Sequence, residues 1–165
     1  MATKFDGTLW AWGRNHSGQL GVSDKTSRSS PVQIPGSTWN NIASGGNGLS
    51  AANKTDGTLW TWGNSNEGSL GQNQPNTQDP ESPMQVPGTN WTGTIMTANN
   101  DKGIATFKTD GTLWVWGSPD YGSLGQNSTS GSGVSSPIQI PGTWATDVND
   151  GQMTQDGVYG ALKES

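Results

Sequence analysis

Asp6-Gly7-Thr8-Leu9-Trp10-Ala11-Trp12-Gly13 returns almost letter for letter at residues 56–63 and again at residues 110–117. From position 6 to 56 is 50 residues, and from 56 to 110 is 54. Such a period is typical of propeller blades, each of which buries its apolar face against the next blade. The sequence therefore predicts a tandem array forming one domain over residues 1–165, with repeats starting near Asp6, Asp56 and Asp110 and a partial fourth near Asp156.

The stretch has the chemistry of a tight turn that leads into a strand. Asp accepts hydrogen bonds from its own backbone and Gly adopts positive φ, so Asp-Gly favours a hairpin turn. In the strand that follows, Trp10 and Trp12 lie two residues apart and share one face. Leu9 and Ala11 occupy the other face. We expect this turn in every repeat, at Asp6, Gly7, Asp56, Gly57, Asp110 and Gly111.

Tryptophan takes the place of the aliphatic residues that usually build a core. Only 28% of the 165 residues are hydrophobic and 13% are charged, against about 45–50% and 25% in ordinary globular proteins. A chain this polar would suggest disorder, but disordered segments contain few aromatics, and nine Trp fall three to a repeat. A leucine in each Gly-x-Leu-Gly loop completes the predicted core. Its members are Trp10, Trp12, Trp39, Trp60, Trp62, Trp91, Trp114, Trp116, Trp144, Leu20, Leu70 and Leu124.

The remaining segments of each repeat predict further strands. Ser30-Pro31-Val32-Gln33-Ile34-Pro35-Gly36 recurs with small changes at residues 82–88 and 136–142. Apolar residues alternate with Gln between prolines that cannot extend a ladder, so we expect a short strand at a sheet edge. A strand starting near Trp39 and another over residues 49–54 complete the unit. The sequence thus predicts an all-β fold with four short strands per repeat.

Charge and composition exclude several functional classes. The net charge is −5, which leaves no basic surface for phosphates, so we expect no nucleic-acid partner and no electrostatic membrane binding. No apolar run reaches the roughly 20 residues of a membrane span, and the amino terminus lacks the apolar core of a signal peptide. The absence of Cys fits a reducing cytosol or a particle assembled there. The expected location is a virion or the cytoplasm.

Catalytic and metal-binding arrangements are poorly supported. His16 is the only histidine and has no counterpart in the other repeats. The repeated aspartates are explained by their turns. Asp147, Asn149, Asp150 and Asp156 are the densest acidic group, but their spacing misses the EF-hand pattern. We therefore expect no enzymatic activity, no metal and no cofactor.

The repeat resembles that of the regulator of chromosome condensation family, which combines the D-G-x-[LV]-[WY]-x-W-G strand, a G-Q-L-G loop and a P-x-x-[IV] strand. All three elements occur three times here, and the family's I-A-x-G segment occurs as Ile42-Ala43-Ser44-Gly45. The Thr-Asp-Gly-Thr-Leu-Trp sequence of the repeats resembles bacterial and phage versions of this family. The resemblance implies a β-propeller of about three four-stranded blades. The founding member's nucleotide-exchange activity is not expected, because its seven blades, protruding hairpin and basic tail are missing.

The number of repeats raises the question of closure. Three blades are fewer than the four of the smallest propellers, and open sheet edges invite association. The chain is predicted to carry the third and fourth strands of a first blade and the first two of a last one. We therefore expect a homodimer closed to six blades, in which the Met153 region of each chain pairs with residues 10–12 of the other. The alternative is an open array whose edges are covered by a larger assembly.

The favoured function is a non-enzymatic protein-interaction or structural module, such as a decoration or tail component of a phage virion. A carbohydrate-binding adhesion propeller, with Trp39, Trp91 and Trp144 stacking on sugars, is one alternative; a bacterial adaptor protein is another. In each case the expected contact surface is formed by the variable loops 23–29, 72–81 and 126–135. The candidate partner-binding residues are Asp24, Arg28, Asn76, Asp79, Glu81, Asn127 and Ser130.

Overall fold

The computed structural model describes residues 1–45, 47–74, 78–98 and 102–144, together with two short strands at 152–153 and 159–160. Asn76 and the predicted fourth start at Asp156 lie outside these residues, as do Asp147, Asn149 and Asp150. Apart from single 3₁₀ turns at Asn66–Gly68 and Asp120–Gly122, every regular element described is a β-strand. The strands are β1 (Ala2–Thr3), β2 (Leu9–Gly13), β3 (Arg28–Ile34), β4 (Trp39–Ser44), β5 (Leu49–Lys54), β6 (Leu59–Gly63), β7 (Met84–Gln85), β8 (Trp91–Ala98), β9 (Gly103–Lys108), β10 (Leu113–Gly117), β11 (Val134–Ile140), β12 (Gln152–Met153) and β13 (Tyr159–Gly160).

The strands form antiparallel sheets that follow chain order. The first sheet contains β1, β2 and β3; the second runs β4-β5-β6-β7; the third runs β8-β9-β10-β11; and β12 pairs with β13. We call the first three sheets blade one, blade two and blade three. The predicted all-β fold is confirmed, and blades two and three have the four strands that were expected. The proline-flanked segments form β3, β7 and β11, each at a sheet edge as expected.

The Asp-Gly turns join β1 to β2 in blade one, β5 to β6 in blade two and β9 to β10 in blade three. In blade one, the Asp6 Oδ1 atom accepts hydrogen bonds from the Thr8 N–H at 3.0 Å and the Thr8 hydroxyl at 2.6 Å. Gly7 has φ +77°, a conformation that a side chain would disfavour. The Thr8 oxygen in turn accepts the Trp10 indole N–H at 3.0 Å. The same arrangement occurs at Asp56 and Asp110.

The core lies between blades as well as within them. Leu9, Ala11, Leu20 and Ile34 of blade one share a buried cluster with Trp39, Ala52 and Trp62 of blade two. An equivalent cluster joins Leu59, Leu70 and Val86 to Trp91, Ile104 and Trp116 of blade three. Because few aliphatic residues are available, the large indole surfaces supply much of the apolar burial. Each blade is therefore stabilised by its neighbour.

In blades two and three, a hydrogen bond fixes the tryptophan near the end of the third strand to the preceding blade. The Trp62 indole donates to the Gln19 carbonyl oxygen and the Trp116 indole donates to the Ser69 carbonyl oxygen, each at 2.9 Å. Both acceptors belong to Gly-x-Leu-Gly loops. A Cβ on Gly21 or Gly71 would lie 2.8 or 2.7 Å from the indole nitrogen, so only glycine admits the ring. We call this arrangement the blade joint.

Trp12 does not fit the predicted core. Its side chain is 47% exposed, whereas the equivalent Trp62 and Trp116 have no exposed surface. The prediction was wrong for this copy because, among the described residues, no Gly-x-Leu-Gly loop covers the ring as loops 18–21 and 68–71 cover Trp62 and Trp116. Trp10, Trp60, Trp114 and Trp144 are half-buried. The other predicted core residues, Trp39, Trp91, Leu20, Leu70 and Leu124, are buried.

The outermost strands differ from the expected arrangement. Blade one contains the additional strand β1, which pairs Ala2 with Trp10 and Thr3 with Leu9. At the other end, Met153 pairs with Tyr159 of the same chain. The strand pairing expected for the dimer is wrong, because β2 already pairs with β1 on one edge and with β3 on the other within the chain. The β12–β13 pair flanks Asp156-Gly157, so it corresponds to the second and third strands of a blade.

Candidate interaction site

The variable loops connect β2 to β3 in blade one, β6 to β7 in blade two and β10 to β11 in blade three. They lie at the edge opposite the Asp-Gly turns, because successive strands of each blade run antiparallel. Their internal contacts differ from blade to blade. We refer to residues 23–29, 72–81 and 126–135 as loop one, loop two and loop three.

Loop one is organised around the buried side chain of Asn15. The Asn15 amide nitrogen donates to the Asp24 carbonyl oxygen at 2.7 Å and to the Thr26 carbonyl oxygen at 3.2 Å. The Asn15 side-chain oxygen accepts the Leu20 N–H at 2.9 Å. The Asn15 amide therefore connects the first half of loop one to the Gly-x-Leu-Gly loop. Nothing in the sequence alone singled out Asn15, since the equivalent positions hold Ser65 and Pro119.

Asp24 and Arg28 of loop one neutralise each other. Their side chains form an ion pair of 2.6 Å, and the Arg28 guanidinium also donates to the Thr26 carbonyl oxygen at 2.8 Å. The Thr26 N–H donates to the Asp24 carboxylate and is the main cause that lowers the pKa of Asp24; Arg28 adds to the effect. Both side chains stay partly exposed. They can contact a partner, but as a pre-formed pair.

The two described candidate residues of loop two have different contacts: Asp79 bonds within its own blade, and Glu81 bonds to blade one. The Asp79 carboxylate accepts hydrogen bonds from the Ser65 N–H at 3.0 Å and the Ser65 hydroxyl at 3.2 Å. The Glu81 carbonyl oxygen accepts the Ser23 N–H of loop one at 2.8 Å. Glu81 is half-buried at this contact. Its backbone therefore connects two blades in addition to any role of its side chain.

Loop three is mostly exposed and follows an aromatic residue that no sequence motif marks. Tyr121 precedes the loop and is 83% exposed, with φ +59°. Its N–H donates to the Thr129 carbonyl oxygen at 3.2 Å. The Ser128 hydroxyl donates to the Ser130 carbonyl oxygen at 2.8 Å. Asn127 and Ser130 are exposed, so loop three presents polar groups beside an uncovered ring.

The opposite edge of the blades carries a lysine stacked on tryptophan. The Lys54 ammonium lies 4.7 Å from the Trp39 ring centre and 4.5 Å from that of Trp60. Lys108 lies 4.5 Å from Trp91 and 4.4 Å from Trp114. These lysines stand two positions before each Asp-Gly pair, a recurrence that the sequence already contained. The contacts are cation–π interactions, which stabilise by about 0.5–2 kcal/mol each.

The tryptophans considered for sugar stacking are covered. Trp39 and Trp91 are 4% and 2% exposed, and each makes edge or tilted contacts with two other indoles about 6 Å away. A sugar ring needs an accessible aromatic face. These two residues do not offer one, so they contribute to the core in this fold.

Local hydrogen bonds favour the ionised form of the carboxylates in the Asp-Gly turns. The Thr8 hydroxyl, and then the Thr8 N–H, lower the pKa of Asp6 below its ordinary 3.8. Thr58 and Thr112 act in the same way on Asp56 and Asp110. A group held in its ionised form by a neighbouring hydroxyl is a poor general acid or base near neutral pH. Within the described ranges, no group of three His, Cys, Asp or Glu residues could hold a metal ion. None of the described helical segments is long and apolar enough to cross a membrane.

Comparison with solved structures shows the same architecture in larger proteins. The chain is similar to Prp20p from Saccharomyces cerevisiae, with 19% sequence identity and a TM-score of 0.77, over 99% of this chain and 42% of that one. It is also similar to human WBSCR16, with 25% identity and a TM-score of 0.67, over 84% of this chain and 34% of that one. The chain thus spans less than half the length of these proteins.

A second structure of the yeast protein, described as yeast RCC1 (Prp20) bound by Kap60, matches with 19% identity and a TM-score of 0.66, over 82% of this chain and 31% of that one. No curated protein matches the chain at a significant level. The family model described as the Regulator of chromosome condensation (RCC1) repeat matches residues 6–52 and 56–95, more than half of the sequence. The chain therefore belongs to the regulator of chromosome condensation repeat family.

Proposed function

We propose that this chain is a non-enzymatic interaction module that serves as a structural component of a virion or a comparable large particle. It contacts its protein partner through loops one, two and three. The observation that carries the proposal is the construction of these loops on a rigid blade edge. They differ in sequence, yet buried or local hydrogen bonds hold the described part of each in a defined shape.

A defined loop shape favours binding because little conformational entropy is lost when the partner docks. Tyr121 supplies an exposed aromatic anchor of the kind that dominates the energy of many interfaces. The Asp24–Arg28 pair supplies polar recognition at the rim. We expect the partner to be a protein, since the net charge of −5 disfavours nucleic acid.

Relatives support the general idea of protein binding by this fold. Prp20p is described by its binding to Gsp1p and histones, and the yeast protein is also described bound to Kap60. At 19% identity these neighbours share the fold alone, so their particular partners and nucleotide exchange are not part of the proposal. A bacterial adaptor role would use the same loops and differ in where the chain resides.

The proposal is tested by locating the chain and then altering its loops. Mass spectrometry of particles purified from the source organism should detect the chain at a fixed ratio to the major structural proteins. Incorporation should fall several-fold for Tyr121→Ala and stay unchanged for Phe5→Ala, which removes an equally exposed ring outside the loops. Finding the chain only in the soluble cell fraction would overturn the particle role and favour the adaptor.

A further inference from the structure

One turn of blade two contains a dipeptide that readily closes into a cyclic imide. Asn47-Gly48 is the only Asn-Gly pair in the sequence, and it lies between β4 and β5. In such a pair the glycine nitrogen can attack the asparagine side-chain carbonyl carbon, because no side chain on the glycine obstructs the approach. Asn47 is exposed, so water reaches the group that would react.

Contact with blade one requires glycine at position 48. Gly48 is buried and has φ +92°. A Cβ there would lie 3.0 Å from the Gln19 Nε2 atom and 3.4 Å from the Ser17 Cβ atom. A larger residue would strain the backbone and press on the loop of blade one that accepts the Trp62 indole. The fold therefore keeps a residue without a side chain next to Asn47.

The attacking nitrogen of Gly48 is held more loosely than its counterparts in the Asp-Gly turns, which can form the same kind of ring. The Gly48 N–H donates to the Gly45 carbonyl oxygen at 3.3 Å, beyond the usual range for such a bond. The N–H groups of Gly7, Gly57 and Gly111 donate to carbonyl oxygens at 2.9, 3.0 and 3.0 Å. A nitrogen in a shorter hydrogen bond is less free to turn towards a side-chain carbon.

The carbon under attack also differs between the two kinds of turn. Hydrogen bonds from the threonine two positions later favour the ionised form of Asp6, Asp56 and Asp110. A carboxylate anion repels a nucleophile and has no good leaving group. The Asn47 side chain is a neutral amide that can release ammonia. Ring closure is therefore disfavoured in these three Asp-Gly turns and allowed at Asn47.

We propose that Asn47 is a site of spontaneous deamidation in the folded chain. The Gly48 nitrogen loses its proton to hydroxide and bonds to the Asn47 Cγ atom. The Cγ–Nδ2 bond then breaks, and the departing nitrogen takes a proton from water and leaves as ammonia. A water molecule adds to either carbonyl carbon of the imide and opens it, which gives aspartate or isoaspartate at position 47. This modification is independent of the partner proposed for the variable loops.

The two products have different effects on the contact with the following strand. The Asn47 carbonyl oxygen accepts the Asn64 side-chain N–H at 3.2 Å, and the Gly48 carbonyl oxygen accepts the Asn64 backbone N–H at 2.9 Å. Both products add one negative charge. Isoaspartate also inserts an extra carbon into the main chain, so it displaces the carbonyl groups that hold Asn64. We therefore expect the isoaspartyl product to loosen this part of blade two.

Peptide mapping by mass spectrometry of the full chain, after incubation at neutral and mildly alkaline pH, tests the site. Asn47 should deamidate several-fold faster than Asn127, which is also exposed but precedes serine. The rate should rise with pH, because the deprotonated nitrogen attacks. Asn47→Gln, whose longer side chain would have to close a larger ring, should stay unmodified at this position. A folded chain that keeps Asn47 intact, or that deamidates first at Asn127, would overturn the proposal.

A parallel incubation in urea separates the influence of the fold from that of the dipeptide. Unfolding removes the hydrogen bonds of the turns, so isoaspartate should form several-fold faster at Asp6, Asp56 and Asp110 than in the folded chain. Asn47 should react at similar rates in both conditions. Strong protection of Asn47 in the folded chain would contradict the proposal.

Amide hydrogen exchange measures the consequence for blade two. Exchange of the Asn64 N–H should accelerate in the isoaspartyl chain. It should stay unchanged in Asn47→Asp, which adds the charge and keeps the main chain. Equal exchange in the isoaspartyl and unmodified chains would show that the modification does not loosen this contact, against the proposal.

Discussion

The two blade joints and the equivalent residues Trp12 and Gly125 repeat the same sequence in different surroundings. Trp62 and Trp116 are fully buried, while Trp12, with the same neighbours in sequence, is nearly half exposed. Gly71 is buried under an indole, while Gly125 is exposed. The comparison teaches that the blade before or after a residue, and not its own repeat, decides whether it belongs to the core.

The strongest test of this comparison removes the buried ring of Trp116 at a blade joint and, separately, the exposed ring of Trp12. Trp116→Ala should lower the free energy of unfolding by about 3–5 kcal/mol, because it leaves a cavity between blades two and three. Trp12→Ala should lower it by about 1 kcal/mol or less, because the ring is already half exposed. Urea unfolding followed by circular dichroism measures both. Equal losses would mean that the joint does not stabilise the array.

A smaller effect is expected when a methyl group is added to the loop glycines. Gly71→Ala and Gly125→Ala both force alanine to positive φ, which costs about 1–2 kcal/mol. Gly71→Ala also places its Cβ 2.7 Å from the Trp116 indole nitrogen, and such overpacking costs about 1–3 kcal/mol more. The difference between the two unfolding free energies isolates the joint. If the variants were equally stable, the close approach of the indole would have no energetic consequence.

The stacked lysines should show a still smaller difference. Lys108 lies over two indoles, whereas Lys4 contacts the Trp10 ring alone, at 4.0 Å. Lys108→Met should reduce the free energy of unfolding by about 1 kcal/mol, and Lys4→Met by about half as much. Thermal unfolding under identical salt conditions measures both changes. A larger loss at Lys4 would contradict the idea that the second ring adds to the attraction.

The smallest effect is the loss of stability at acid pH, and the turn aspartates of all three blades should contribute to it equally. Hydrogen bonds from Thr8, Thr58 and Thr112 lower the pKa values of the three turn aspartates below 3.8 in the folded state. Their stabilisation is therefore present above the unfolded value and is lost as pH falls through the folded values. The urea midpoint should decline below about pH 4.

A variant with Asn at all three turn aspartates keeps the turn chemistry but does not ionise. Its urea midpoint should change less over the same range of pH. Three single variants should each contribute a similar share, since every turn has the same hydrogen bonds. An unchanged acid response in the triple variant would assign the decline to other carboxylates.

Much of the fold could be predicted from the sequence because its signals are local. The Asp-Gly turn, the alternation around Trp10 and Trp12 and the proline-flanked edge strands depend on neighbours within a few positions. All of them appear in the structure at the expected places. The repeat length of 50–54 residues indicates a propeller blade. The three copies allow each predicted strand and turn to be checked against two others.

Contacts between blades could not be predicted in the same way. Trp62 bonds to a carbonyl 43 positions earlier, and Trp116 to one 47 positions earlier, and no local pattern specifies such a pairing. For this reason Trp12 was assigned to the core and the role of the loop glycines was missed. The loops were found by their variation, but the buried amide of Asn15 and the exposure of Tyr121 depend on tertiary packing.

The blade joint always runs in one direction: the indole comes from the later blade and the carbonyl from the earlier one. The array therefore has a direction. A duplicated repeat inserted in tandem brings both an indole donor for the blade before it and a carbonyl acceptor for the blade after it. In such a nearest-neighbour architecture each unit interacts only with adjacent units. A gene encoding it can gain or lose whole repeats by recombination while every remaining boundary stays chemically matched.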